Sequence, residues 1–227
     1  MRTMSLLTLA ALVVSPLAAQ GGKPSDPDKN VAGTGTLPAG WSARLDLATA
    51  SLATLKLVSM PPGWHITTGP SGIFYRAADA ATGSFHTIAT IHQTKAPAHP
   101  EAFGLFVAGK DLDKSTAAYV YLIVRGDGMY TIRQGGAVGA RSKNLTTGGD
   151  VNGWLPSDAV VKQDGNGQSK NVIEVTGNAT TKKLTFTVNG KQIAEIDAPG
   201  GNVGGIVGLR VNHHLDVHVQ DFAVHKL

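Results

Sequence analysis

From Gly40 onward, apolar and polar residues alternate in short stretches broken by Gly, Asn, Asp and Pro. An alternation of period two sends successive side chains to opposite faces of an extended strand. No stretch keeps a helical period, and no internal repeat is found. The pattern predicts strands at Trp41–Leu47, Leu55–Met60, Trp64–Thr67, Gly72–Arg76, Phe85–Gln93 and Ala102–Ala108. It predicts further strands at Tyr119–Arg125, Met129–Arg133, Val172–Thr176, Leu184–Val188, Lys191–Ile196, Val203–Val211 and Leu215–Leu227. Two hairpins rest on turn chemistry. Asn189-Gly190 and Asp127-Gly128 suit type I′ turns, whose two central residues both need positive φ. So many strands exceed what one open sheet holds, which predicts an all-β fold with two packed antiparallel sheets.

The N-terminus has a different pattern. Arg2 precedes an apolar run from Leu6 to Val14, and small residues follow through Ser15–Gln20. These are the parts of a secretory signal peptide, and the run is too short to span a bilayer. Residues 1–20 are therefore expected to be a signal peptide, residues 21–39 a flexible Gly- and Pro-rich leader, and residues 40–227 one β-sandwich domain. The expected destination is periplasmic or extracellular. The 227 residues include no cysteine, so no disulfide staples the fold and a packed core must hold it. The formal net charge is +4, with no clustered basic face of the kind nucleic acid requires. No later segment reaches membrane-spanning length.

Several segments together resemble the concanavalin A-like, laminin-G-like jelly rolls, near the 3-keto-disaccharide hydrolase domain family and related secreted bacterial proteins. They are Met60-Pro-Pro-Gly-Trp-His-Ile-Thr-Thr-Gly-Pro70, Gly72-Ile-Phe-Tyr-Arg76 and Glu101-Ala-Phe-Gly-Leu-Phe-Val107. Tyr121-Leu-Ile-Val-Arg-Gly-Asp-Gly128, Phe186-Thr-Val-Asn-Gly-Lys191 and Gly205-Ile-Val-Gly-Leu-Arg-Val-Asn-His213 continue the likeness. The resemblance covers roughly residues 40–227 and implies a carbohydrate context. Such folds host lectins, glycosidases and adhesion modules alike, so it transfers no catalytic residue.

Glycoside hydrolysis uses two carboxylates flanking the bond, and this chain has three glutamates, Glu101, Glu174 and Glu195. Glu174 and Glu195 alternate on half-exposed strands. The Glu-x-Asp-x-x-Glu strand motif of laminarinase-type glucanases is absent, which leaves Glu101 as a lone candidate acid or an acceptor for sugar hydroxyls. Tyr119 and Tyr121 share a strand face with Arg125. Aromatic rings and a planar guanidinium match the apolar C–H faces and hydroxyl edges of a sugar ring. The alternative is that both rings fill the second side of a central strand. Arg76, Arg210 and His65, each within or beside a family-like segment, are further binding candidates. His214, Asp216 and His218 alternate on the last strand and could hold a metal with one more ligand from His213, His86 or His92. An exposed strand face is the plainer account of them. No cofactor is expected, the minority reading being a zinc or calcium ion.

The sequence thus points to a secreted module binding a glycan or another polar ligand on a concave sheet. The alternatives are a hydrolase or lyase acting on a keto-disaccharide or glycoside, and a structural protein of the cell envelope without a small ligand.

Overall fold

A computed structural model describes residues 31–227. The expected signal peptide and residues 21–30 of the leader lie outside the described residues. The strands that begin the chain are β1 (Trp41–Leu45), β2 (Leu55–Met60), β3 (Gly63–Thr68), β4 (Gly72–Ala81) and β5 (Phe85–Gln93). Next come β6 (Ala102–Lys110), β7 (Ala118–Arg125), β8 (Met129–Gly135) and the two-residue β9 (Lys143–Asn144) and β10 (Leu155–Pro156). The last are β11 (Ser169–Asn178), β12 (Lys183–Val188), β13 (Lys191–Asp197), β14 (Gly205–Val211) and β15 (Asp216–Lys226).

They form two antiparallel sheets. The first has the order β1-β4-β14-β6-β7-β8-β10, with β9 also paired to β8. The second has the order β13-β12-β11-β5-β15-β3-β2. The final hairpin is therefore divided between them: β14 lies inside the first sheet and β15 inside the second. The all-β, two-sheet sandwich expected from the alternation is the observed fold.

Between the sheets lies the main core. Phe74, Phe103, Leu105 and Leu122 from the first sheet meet Leu57, Ile66, Phe85, Ile91 and Phe186 from the second, all essentially without exposure. Each fully buried side chain of this size contributes about 1.5–3 kcal/mol relative to exposure, which is what holds a chain that has no disulfide to help it.

The two hairpins differ. At Asn189-Gly190 both residues have positive φ, 49° and 77°, and Val188 pairs with Lys191. This is the type I′ turn the sequence predicts. At Asp127-Gly128 only Gly128 has positive φ. Arg125 pairs with Met129, and the Gly128 N–H donates to the Arg125 carbonyl at 3.0 Å. The loop is thus three residues with a left-handed glycine at its end, the other common hairpin solution. Arg125 also donates to Asp127 through Nε and Nη2, which ties down the turn.

The end of the expected leader touches the domain. The Gly33 N–H donates to the Ala53 carbonyl at 2.8 Å, and Leu37 packs on the core. A Cβ at Gly33 would sit 2.3 Å from the Leu55 carbonyl oxygen, so glycine is needed for that approach.

Candidate functional site on the outer face of the first sheet

Period two places a second set of side chains on the first sheet, facing away from the sandwich core. Ile73, Ala102, Phe106, Tyr119, Tyr121 and Ile123 form a buried cluster of their own, joined by Leu112 and flanked by Tyr75, Trp154 and Ile206. A sheet face this apolar must be covered. Part of the cover is the loop of residues 136–142. Arg44 Nη1 donates to the Gly136 carbonyl at 2.7 Å, and the Gly139 N–H donates to the Asp46 carbonyl at 2.8 Å.

Beneath that loop the two predicted tyrosines stack, with ring centroids 5.7 Å apart. Each is only 5% exposed, so they are the walls of a recess rather than an open platform. The Arg44 guanidinium lies 5.1 Å from the Tyr119 ring, and Arg210 lies 5.3 Å from the Tyr121 ring. Gly135 makes room for this packing, since a Cβ there would meet the Tyr119 ring at 2.1 Å. A cavity of about 160 Å³ is lined by Arg44, Asp46, Tyr119, Tyr121, Ser142 and Arg210, with the loop glycines and alanines closing it.

Arg210 is the electrostatic centre. It is 6% exposed, a position where an unpaired charge would be expensive. Its Nη1 and Nη2 donate to the two carboxylate oxygens of Asp46 at 2.5 and 2.6 Å, and Nη2 also reaches Asn212 Oδ1 at 3.1 Å. Burial opposes its charge, but the Asp46 charge and hydrogen bonds outweigh burial and raise its pKa. Burial likewise pushes the Tyr119 hydroxyl above the usual phenol value, with the Arg210 charge pulling the other way. Among the described residues the Nε groups of Arg44 and Arg210 have no hydrogen-bond partner, so this recess retains donor capacity.

The network continues from Arg210. Asn212 Nδ2 donates to Glu101 Oε2 at 3.1 Å. On its other oxygen, Oε1, Glu101 accepts from His99 Nδ1 at 2.9 Å and from His213 Nε2 at 2.6 Å. Asp46, Arg210, Asn212, Glu101 and the two histidines thus form one chain of polar contacts at one end of the first sheet.

The remaining predicted site residues fall elsewhere. Arg125 shares the tyrosine face but sits farther along β7, 4.4 Å from the Trp154 ring. Arg76 faces the opposite side of β4 from Tyr75. Its guanidinium lies 5.1–5.9 Å from Trp41, Trp64 and Phe222 and pairs with Asp79, so it closes the gap between the sheets and does not join the tyrosines. His65 is on the second sheet, donating through Nε2 to Asp216 at 2.9 Å. Asp216 also accepts from Thr67 and Thr94 and pairs with Lys95. His218 lies opposite both His65 and His92 in register. His214, Asp216 and His218 therefore do not converge: a positive φ of 56° at His214 turns its ring toward His99 and His213.

A larger hollow of about 520 Å³ at the other end of β4 is lined chiefly by glycine and alanine, with Lys110, Lys182 and Asn202 among its few polar side chains. Among the described residues no helix is long and apolar enough to cross a membrane.

No protein-family model matches the chain, and no curated protein matches its sequence. Solved structures do. The carbohydrate-binding module CBM66 from Bacillus subtilis superposes with a TM-score of 0.55 at 11% identity, over 84% of this chain and 99% of the module. A Bacillus subtilis protein of unknown function with a galectin-like fold gives 0.46 at 13% identity, over 82% and 88% of the two chains. A putative glycosyl hydrolase from Parabacteroides distasonis gives 0.45 at 11% identity, over 82% and 100%. At these identities the likeness is one of fold, and it rests on the first. It agrees with the jelly-roll class of sandwich that the sequence resembles, while the narrower relationship to 3-keto-disaccharide hydrolases has no family match behind it.

Proposed function

We propose that the chain is an exported carbohydrate-binding module whose ligand, a glycan or a chemically similar polyol, binds the outer face of the first sheet at Arg44, Asp46, Tyr119, Tyr121 and Arg210. One observation carries this reading: two stacked tyrosines flanked by two arginines, with a carboxylate, around a polar recess. Ring faces suit sugar C–H groups, and guanidinium and carboxylate suit hydroxyls that both donate and accept. The recess, at about 160 Å³, is well below the roughly 300–1,000 Å³ of a pocket for a drug-sized ligand, so it suits one terminal sugar unit. The fold shared with a carbohydrate-binding module supports the reading, and the Arg2, Leu6–Val14 and Ser15–Gln20 pattern supports export.

The hydrolase alternative would use Glu101 as its acid. Both oxygens of that carboxylate are engaged, by His99, His213 and Asn212, so it stands as an acceptor that positions other groups.

The test is a glycan array with affinity electrophoresis on wild type and Arg44→Ala, with thermal melting to show that both are folded. Loss of a charged hydrogen-bond donor should weaken binding about tenfold or more. Failure of the wild type to retain any glycan, or equal retention by both proteins, would overturn the proposal.

A further inference from the structure

All eight histidines occur in groups. His65, His92 and His218 make a row across the second sheet, and His86 and His225 stack beside Glu174. The third group is different in kind. One ring nitrogen from each of His99, His213 and His214 lies within 4.8 Å of the other two, and the three ring centroids are 4.8–5.4 Å apart. In the flat row, by contrast, the His65 and His218 centroids are 6.2 Å apart, and cross-strand register spreads the rings along a line.

The third group is also built. His213 and His214 sit in the turn between β14 and β15, which Thr68 clamps: its fully buried hydroxyl donates to the Asn212 carbonyl at 2.6 Å and accepts from the Leu215 N–H at 3.0 Å. His99 comes from the β5–β6 connection and precedes Pro100, which restricts its backbone to extended conformations. Glu101, 9% exposed, takes Nδ1 of His99 and Nε2 of His213 on one oxygen. A carboxylate that holds one ring nitrogen fixes the tautomer and aims the other nitrogen, the usual support of a metal-binding histidine.

We propose that His99, His213 and His214 bind one divalent transition-metal ion of the zinc class, with Glu101 as the positioning residue for His99 and His213. Three neutral imidazoles suit Zn²⁺ and its neighbours in the first transition row. They do not suit Ca²⁺, which needs oxygen ligands. Three protein ligands leave a coordination position open to water or to a ligand oxygen. The site therefore uses His214 and the further ligand His213 from the sequence's metal candidates and brings in His99 in place of Asp216 and His218. It is independent of glycan binding and is read without any glycan.

Calorimetric titration of the metal-stripped chain with zinc chloride alone, alongside elemental analysis, tests it. Wild type should take up one zinc per chain and no calcium. His99→Ala, at an exposed position that spares the fold, and His214→Ala should each abolish that uptake. Glu101→Gln should retain the stoichiometry but weaken binding about 10- to 100-fold. His218→Ala, in the row on the second sheet, should bind as wild type does. The proposal is overturned if wild type takes up no zinc, if uptake persists in folded His99→Ala, or if His218→Ala abolishes it.

Discussion

The outer faces of the two sheets are made by the same period-two alternation and have opposite characters. On the second sheet the outer positions carry His65, His92, His218, Glu174 and Thr176, all partly exposed, with His65 held by Asp216 and Glu174 by His86. On the first sheet they carry Ile73, Phe106, Tyr119, Tyr121 and Ile123, all buried beneath loops. A face left to solvent can keep loosely partnered titrating groups at little cost. A face covered by loops can keep a charge only when it is paired, and Arg210 with Asp46 is that case. Polar chemistry under cover must be pre-assembled, and pre-assembled polar groups beside apolar rings are what recognition of a sugar requires.

Breaking the covered pair should have the largest effect. Asp46→Ala strands a buried guanidinium and should cost about 3 kcal/mol in urea unfolding, since removing one partner of a buried pair typically costs 3–5 kcal/mol and Asp46 is itself partly exposed. Adding Arg210→Met to that variant should recover much of the loss. A double variant no more stable than Asp46→Ala would show that packing, not charge, limits this face.

Next in size is Gly135→Ala. Its Cβ would intrude on the Tyr119 ring, which overpacking data place at about 1–3 kcal/mol, and it should also abolish glycan retention. A variant with wild-type melting and binding would mean that the tyrosine stack is not held as tightly as the contact implies.

On the open face the effect is one of pH. Burial, and then the charges of His65 and His92, hold the His218 pKa below the ordinary histidine value of 6.5. The unfolded chain therefore takes up that proton first, so stability is full above about pH 6.5 and declines as pH falls below it. Asp216, the acidic group facing the same row, titrates in a separate window. Burial works against its charge, but hydrogen bonds from Thr94 and Lys95 and the His65 charge lower its pKa below 3.8, so its contribution is lost only as pH drops through that range and beyond. Urea midpoints between about pH 7.5 and pH 5.5 should fall less in His218→Gln than in wild type; parallel curves would refute this. The smallest effect belongs to Lys183→Ala, which removes exposed pairs with Glu195 and Asp197 and should leave the melting temperature unchanged.

The sequence shows the fold in nearly every strand because alternation is a local signal. Asn189-Gly190 even specifies its turn type. Asp127-Gly128 does not, because a single glycine serves a three-residue loop as well as a two-residue one, and only the register of Arg125 with Met129 decides. The site is half legible. Alternation puts Tyr119 and Tyr121 on one face, but which face is the core, and what covers the other, depends on the distant loop at residues 136–142. The same ambiguity hides Arg76, which alternation assigns to the side opposite Tyr75 without saying that this is the side of Trp41 and Trp64. Arg44 and Asp46 carry no local signal, since Asp46 meets Arg210 across 164 residues. Of the histidine trio, the adjacent His213-His214 pair is visible in the sequence, while His99 joins it only through the pairing of β6 with β14.

The final hairpin has a consequence for how the molecule comes into being. β15 fills the gap between β5 and β3, and β14 fills the gap between β4 and β6. Neither sheet is continuous until these strands, the last of the sandwich to be synthesised, have arrived. Contacts between such distant parts of the chain slow folding, and until they form, β3, β4, β5 and β6 each present an unsatisfied edge. A chain that cannot close its sandwich early stays open for longer, a period in which its edges need guarding from one another and from other chains.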